Sequence, residues 1–191
     1  MVVAIALFDL AYPLDDTVEI NGKTYEIDLS FDNVLRLIDM LSDDELDDVT
    51  QINLGLEMLI GTRLDEYDIF EKEKIFHEIF KNTIAKDAEE NAPVDIDGNP
   101  MPQTKEEKIY SIKQDAEYIY ASFYQDYGID LFEQQGKLHW YKFKALLQGL
   151  RADTKFKEVI GIRTMELPSG KGMEKQRKAI QELKEVYKLH E

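Results

Sequence analysis

The stretch Thr17-Val-Glu-Ile-Asn-Gly-Lys-Thr-Tyr-Glu-Ile27, followed by Ser30-Phe-Asp-Asn-Val-Leu-Arg-Leu-Ile-Asp-Met-Leu41, decides the fold class. In its first part apolar and polar residues alternate on both sides of Asn21-Gly22. A type I′ turn needs positive φ at both central residues, and Asn-Gly meets that need best. The spacing predicts two short strands joined by a tight turn. Val2 to Leu7 offers a third strand, with Pro13 and Asp15-Asp16 marking the turn between. From Ser30 the apolar period changes from two to about 3.6, with Phe31, Val34, Leu35, Ile38 and Leu41 on one helical face. The fold class that follows is mainly α with a small N-terminal β-hairpin, α+β at the margin, in a compact multi-helix domain.

Helical signals dominate the rest. Ser42-Asp-Asp-Glu45 has capping-box spacing and precedes an apolar run that ends at Gly61. Leu64, Ile69, Phe70, Ile75, Phe76, Ile79 and Phe80 suggest a third helical stretch, aromatic on its buried side. Residues 88–103 contain three prolines and a glycine, so no helix crosses them and a mobile loop is expected. Thr104-Lys-Glu-Glu107 is another capping box, followed by the stripe Ile109, Ile112, Ala116, Ile119 and Phe123, with Gly128 as the stop. Residues 136–149 and 153–162 are shorter helical candidates, and Pro168, Gly170 and Gly172 form a joint. Met173 to Leu189 reads as a closing amphipathic helix, either docked or projecting. We expect one domain over 1–191, made of a hairpin region 1–28, acidic helices 30–86, the loop 88–103, helices over 104–163 and the closing helix 173–190.

Composition restricts the functions available. The chain has 191 residues, 43% of them hydrophobic and 32% charged, enough apolar material for a core, so wholesale disorder is excluded. No apolar run approaches the roughly 18 residues needed to cross a bilayer, and the first ten residues lack the basic flank of a signal peptide. The expectation is a soluble, unexported protein with no membrane partner. Absence of cysteine excludes disulfides and thiolate chemistry, and three histidines, none at helical contact spacing, suggest neither a zinc pair nor an activated serine. The formal net charge is −16. It is segregated, with 7 Lys/Arg against 25 Asp/Glu in residues 1–100 and 16 against 14 in residues 101–191. Such a balance opposes binding to phosphate backbones.

Local motifs carry little chemistry. Asp95-Ile-Asp-Gly-Asn99 resembles part of a calcium loop, but its glycine comes too early and the closing glutamate is missing, so a turn explains it better. Ser169-Gly-Lys-Gly172 resembles a phosphate loop without its first glycine or its Ser/Thr. A basic run from Lys137 to Arg163 is interleaved with Trp140, Tyr141, Phe143 and Phe156, which would suit nucleic acid. The apolar spacing there reads as core, and nucleic acid is not an expected partner. No nucleophile, base and orienting group can be assembled from local spacing, so an enzyme is not expected and no cofactor or metal is.

A resemblance supplies the functional expectation. Tyr127-Gly-Ile-Asp130, Lys137-Leu-His-Trp140 with Phe143, and Ile160-Gly-Ile-Arg163, in this order and together with Asn21-Gly-Lys-Thr-Tyr25 and the closing helix, resemble the gene-product-fifteen family of tailed bacteriophages. That family is encoded in the tail-morphogenesis cluster of phages and prophages of Gram-positive hosts. The resemblance implies a non-catalytic phage tail-assembly protein, a chaperone-like carrier of the tape-measure protein or the tail tube protein. The alternative is a minor structural or connector protein retained in the virion. Self-association is compatible with either. For partner contact the sequence offers Trp140, Tyr141 and Phe143, or Met173, Ile180, Leu183 and Tyr187 on the closing helix, with a core role for Trp140 and Phe143 as the competing explanation.

Overall fold

The computed structural model describes the backbone of residues 2–4 and both backbone and side chains of residues 9–85 and 109–190. Among them are strands β1 (Val2–Ala4), β2 (Thr17–Ile20) and β3 (Lys23–Glu26). Seven helices follow among the described residues: α1 (Phe31–Leu41), α2 (Asp48–Ile60), α3 (Ile69–Thr83), α4 (Ala116–Tyr127), α5 (Trp140–Gly149), α6 (Lys155–Thr164) and α7 (Glu174–Val186). The chain is mainly α with an N-terminal antiparallel hairpin, as its periodicity predicts. The expected loop at 88–103 and the turn at Asp95–Asn99 lie outside the described residues.

Backbone contacts group the chain into two compact units, residues 1–103 with 135–143, and residues 104–134 with 144–191. The first holds 9 Lys/Arg and 25 Asp/Glu and the second 14 of each, so the entire net charge of −16 belongs to the first.

In the first unit the sheet order is β1-β2-β3, all antiparallel. Asn21 and Gly22 take φ of 50° and 84°, the signs a type I′ turn requires, and set the register Ile20↔Lys23 through Thr17↔Glu26. Alternation along β2 then buries Val18 and Ile20. Helix α1 buries Phe31, Val34 and Leu37, leaving Ile38 exposed, so its core face is turned slightly from the expected one. The expected start of α2 at Ser42 is displaced to Asp48. Asp47 outcompetes the earlier box because its carboxylate accepts both the backbone N–H of Thr50 (3.0 Å) and the Thr50 hydroxyl (2.8 Å). Helix α2 ends at Gly61 in the left-handed region, φ 70°, where the sequence places its stop. Gly55 lets the Phe76 ring lie directly on α2, since a Cβ there would meet the ring edge at 2.5 Å. Helix α3 opens with a capping box between Asp68 and Glu71. Its buried residues are Lys72, Ile75, Ile79 and Thr83; of the aromatics expected on that side, Phe76 and Phe80 are half-buried, with Phe76 against α2, and Phe70 is exposed.

In the second unit the capping box at Thr104–Glu107 lies outside the described residues; among the described ones, 109–115 are not helical and α4 begins at Ala116. The Asp115 carboxylate accepts the backbone N–H of Ser111 at 3.0 Å and holds residues 111–115 in a turn. Of the stripe Ile109, Ile112, Ala116, Ile119 and Phe123, only Ile119 and Phe123 are buried. Gly128, at φ 64°, ends α4 as expected. Helix α4 packs against α6, and α6 against α7. The core of this unit is built from Ile119, Phe123, Phe156, Val159 and Ile162, with Leu131, Leu147 and Leu150 also buried.

Candidate functional site

The sequence words that carry the resemblance are architectural in the first unit. Leu138 to Trp140 lies antiparallel to Leu29 to Phe31, through Phe31 N–H to the Leu138 carbonyl (2.9 Å) and Trp140 N–H to the Leu29 carbonyl (2.7 Å). His139, buried, sits at the centre of this pairing. Its Nδ1 accepts the backbone N–H of Tyr141 at 3.0 Å, so the ring proton of the neutral form resides on Nε2, which donates to Asp16 Oδ1 at 2.8 Å. Asn33 completes the clasp from α1, donating to the carbonyls of Asp28 (3.0 Å) and Met58 (2.8 Å). The histidine of the word Lys137-Leu-His-Trp140 thus fixes the join between hairpin, α1 and residues 138–140.

Trp140, Tyr141 and Phe143 are buried, with 5%, 7% and 1% of their surface exposed. Phe143 stacks on Phe31, ring centroids 5.0 Å apart, and Trp140 on Phe143 at 5.7 Å. These side chains are core residues of the first unit. A partner would reach them only by breaking that stack, and with Phe156 also buried they present no open faces for base stacking.

Arg163 organises the second unit. Its guanidinium makes a two-pronged pair with Asp115, Nη1 to Oδ2 and Nη2 to Oδ1, both at 2.7 Å. Nη1 also donates to the Ile109 carbonyl at 3.1 Å, and Nε to the Tyr187 carbonyl at 2.5 Å. Asp115 is 1% exposed, so the pair is desolvated and each partner requires the other. One side chain from α6 thereby anchors the segment before α4 and the end of α7. A second pair, Arg151 with Asp126, closes the turn before α6, Asp126 accepting the Arg151 backbone N–H at 2.8 Å and its Nε at 2.5 Å. The backbone bond is the main reason the Asp126 carboxyl is held below the usual carboxylate range, with the guanidinium adding to it.

Helix α7 docks by one end and one edge. The Tyr187 ring meets Tyr118 edge-on at 6.1 Å, and its hydroxyl accepts from Lys155 Nζ at 3.0 Å. Gln114 and His190 exchange two hydrogen bonds of 2.7 and 2.8 Å. Of the four residues singled out in sequence on this helix, Ile180 and Tyr187 are partly covered, whereas Met173 and Leu183 are 38% and 44% exposed. No residue of α7 is buried, and Val186 is 73% exposed. Ala179, Leu183 and Val186, at spacings of four and three, form an open apolar seam with Lys175 and Lys178 beside its start.

A second open surface lies outside the residues that sequence spacing singles out. Tyr120 stacks on Tyr124 at 6.4 Å and meets Phe132 at 5.4 Å, and Tyr124 and Phe132 are 59% and 70% exposed. The Tyr120 hydroxyl donates to Asp130 at 3.2 Å; desolvation, then that hydrogen bond, pushes the phenol up. The signal for this ridge in sequence is the four-residue spacing of Tyr120 and Tyr124, off the stripe that holds Ile119 and Phe123.

Among the described residues no group of His, Asp and Glu is arranged to hold a metal ion, and no helix is long and apolar enough to cross a membrane. Comparison with curated proteins and with solved structures gives no match. The family comparison matches the Bacteriophage Gp15 protein model over residues 11–189, which takes in the hairpin, the histidine clasp, the Arg163 anchor and α7, and the chain belongs to that family.

Proposed function

We propose that this chain is a tail-assembly protein of a tailed bacteriophage, acting by protein–protein contact without catalysis, as a chaperone of the tape-measure protein or another tail component. The observation that carries the reading is the open apolar and aromatic surface of the second unit, a unit fixed by the Arg163–Asp115 pair. Leu183 and Val186 on α7, Tyr124 on α4 and Phe132 after it are large apolar side chains kept in water, a cost that a binding role accounts for. A long helical tape-measure protein exposes apolar stripes until the tube encloses it, and such surfaces can cover those stripes reversibly. The acidic first unit would keep the complex soluble and favour basic partners.

Co-expression with each protein of the tail cluster, followed by affinity purification, tests this reading. Retention of the tape-measure or tube protein supports it, and failure to hold any tail component at micromolar concentration overturns it. Mass spectrometry of purified virions separates a carrier, which leaves, from a minor structural protein, which stays.

A further inference from the structure

The two open surfaces of the second unit are complementary to each other, and we infer that they are the two halves of a head-to-tail contact between copies of this chain. The aromatic ridge of Tyr120, Tyr124 and Phe132 lies in a stretch, residues 114–134, that has five carboxylates and no Lys or Arg. Two of those carboxylates, Asp115 and Asp126, are consumed by Arg163 and Arg151. Glu117, three residues before Tyr120 on α4, is exposed, and Asp130 borders the ridge through the Tyr120 hydroxyl. The seam of α7 offers the opposite combination at its start, with Ala179, Leu183 and Val186 beside Lys175 and Lys178, all exposed; Glu182 on the same flank lies 3.9 Å from Lys178, a fully solvated pair that a partner's carboxylate can replace at little cost. Apolar side chains meet aromatic rings, lysines meet carboxylates, and an ammonium over a tyrosine face gains further attraction.

A chain cannot satisfy this match with its own α7. Tyr118, which receives Tyr187, is two positions from Tyr120, so the docked end of α7 and the ridge occupy opposite flanks of α4. The contact must then be made by a second copy, each chain giving its seam and receiving on its ridge. Such a contact is heterologous and adds copies in a row. Each face offers only three apolar or aromatic side chains flanked by charges, so the association is weak and sensitive to salt. These are the surfaces offered above to a tail component; self-association is measured with this chain alone, so either reading fails independently of the other.

Sedimentation equilibrium of the full chain, with two surface variants, tests the inference. The wild type is expected to gain weight-average mass beyond that of a dimer as concentration rises toward the millimolar range, and to lose it on adding about 0.5 M salt. Tyr124→Ser/Phe132→Ser removes the ridge and Leu183→Ser/Val186→Ser removes the seam. Each variant alone is expected to be monomeric at concentrations where the wild type associates, while their equimolar mixture forms a dimer and nothing larger, because one live ridge meets one live seam. A wild type that stays monomeric overturns the inference, as does a mixture that stays monomeric or a variant that still associates alone. Circular dichroism of both variants should match the wild type, since all four side chains are exposed.

Discussion

The Ser122 hydroxyl caps a helix to which it does not belong. It accepts the backbone N–H of Phe156, in the first turn of α6, at 3.0 Å, and donates to the Tyr118 carbonyl of its own helix at 2.6 Å. Thr154, the residue preceding α6, makes no such cap; its hydroxyl donates to the Arg151 carbonyl at 2.7 Å. Ser122 is fully buried, so no water can replace it. Ser122→Ala leaves the Phe156 N–H without an acceptor in the interior and should cost about 1–3 kcal/mol. Urea denaturation measures the loss. Faster hydrogen exchange at the Phe156 amide would locate it, and an unchanged midpoint would mean the hydroxyl contributes nothing.

Arg163 and Asp115 test how the second unit is held. Arg163→Met strands a carboxylate that is 1% exposed and releases the carbonyls of Ile109 and Tyr187, so a destabilisation of about 3–5 kcal/mol is expected. Arg163→Lys keeps the charge but has no planar fork, and cannot serve two carboxylate oxygens and two carbonyls together; it should recover only part of the loss. Thermal melts give the ranking, and limited proteolysis should cut near Tyr187 sooner in Arg163→Met. Equal stability of the lysine variant and wild type would refute the fork argument.

Local rules of sequence reach as far as local physics does. Asn21-Gly22, Gly61 and Gly128 each take positive φ where spacing predicts a turn or a helix stop, because the requirement sits in one or two residues. Helix starts are less legible where several acceptors compete, as where Asp47 displaces Ser42, or where a distant group decides, as where Arg163 fixes Asp115 and the start of α4. The histidine clasp is hidden in the sequence because its partners are Asp16 and Tyr141, one of them 123 positions away. Of the proposed contact residues, spacing alone can place Leu183 on a face. It cannot say that Trp140 and Phe143 are covered with Phe31, or that Tyr124 and Phe132 stay largely open.

The tautomer of His139 is a direct check on that clasp. Because Nδ1 accepts from the Tyr141 backbone, the neutral ring must carry its proton on Nε2. Long-range proton–nitrogen correlation spectra above neutral pH should show a protonated Nε2 and an unprotonated Nδ1 for His139. Asp16→Ala should leave that tautomer in place, since the Tyr141 bond selects it, while weakening the join between hairpin and α1. A proton found on Nδ1 would contradict the geometry of the clasp.

Asp126 gives the second unit a defined response to acid. Its carboxyl is held below the ordinary value by the Arg151 backbone N–H first and by the guanidinium after it. A carboxyl whose folded pKa lies below its unfolded one, about 4, contributes stability that is fully present above that pH and is lost as pH falls through the folded value. Asp126→Asn keeps an oxygen to accept the backbone N–H but removes the charge and its titration. The wild type should therefore exceed Asp126→Asn in stability at about pH 7 and pH 5, and the gap should close progressively as pH falls below about 4 and through the folded value. Urea midpoints of the two proteins across that range measure the gap. A gap that does not narrow as the pH falls would show that the charge of Asp126, held by the Arg151 backbone N–H and guanidinium, does not carry the effect, and that the loss in Asp126→Asn comes from packing of the amide instead.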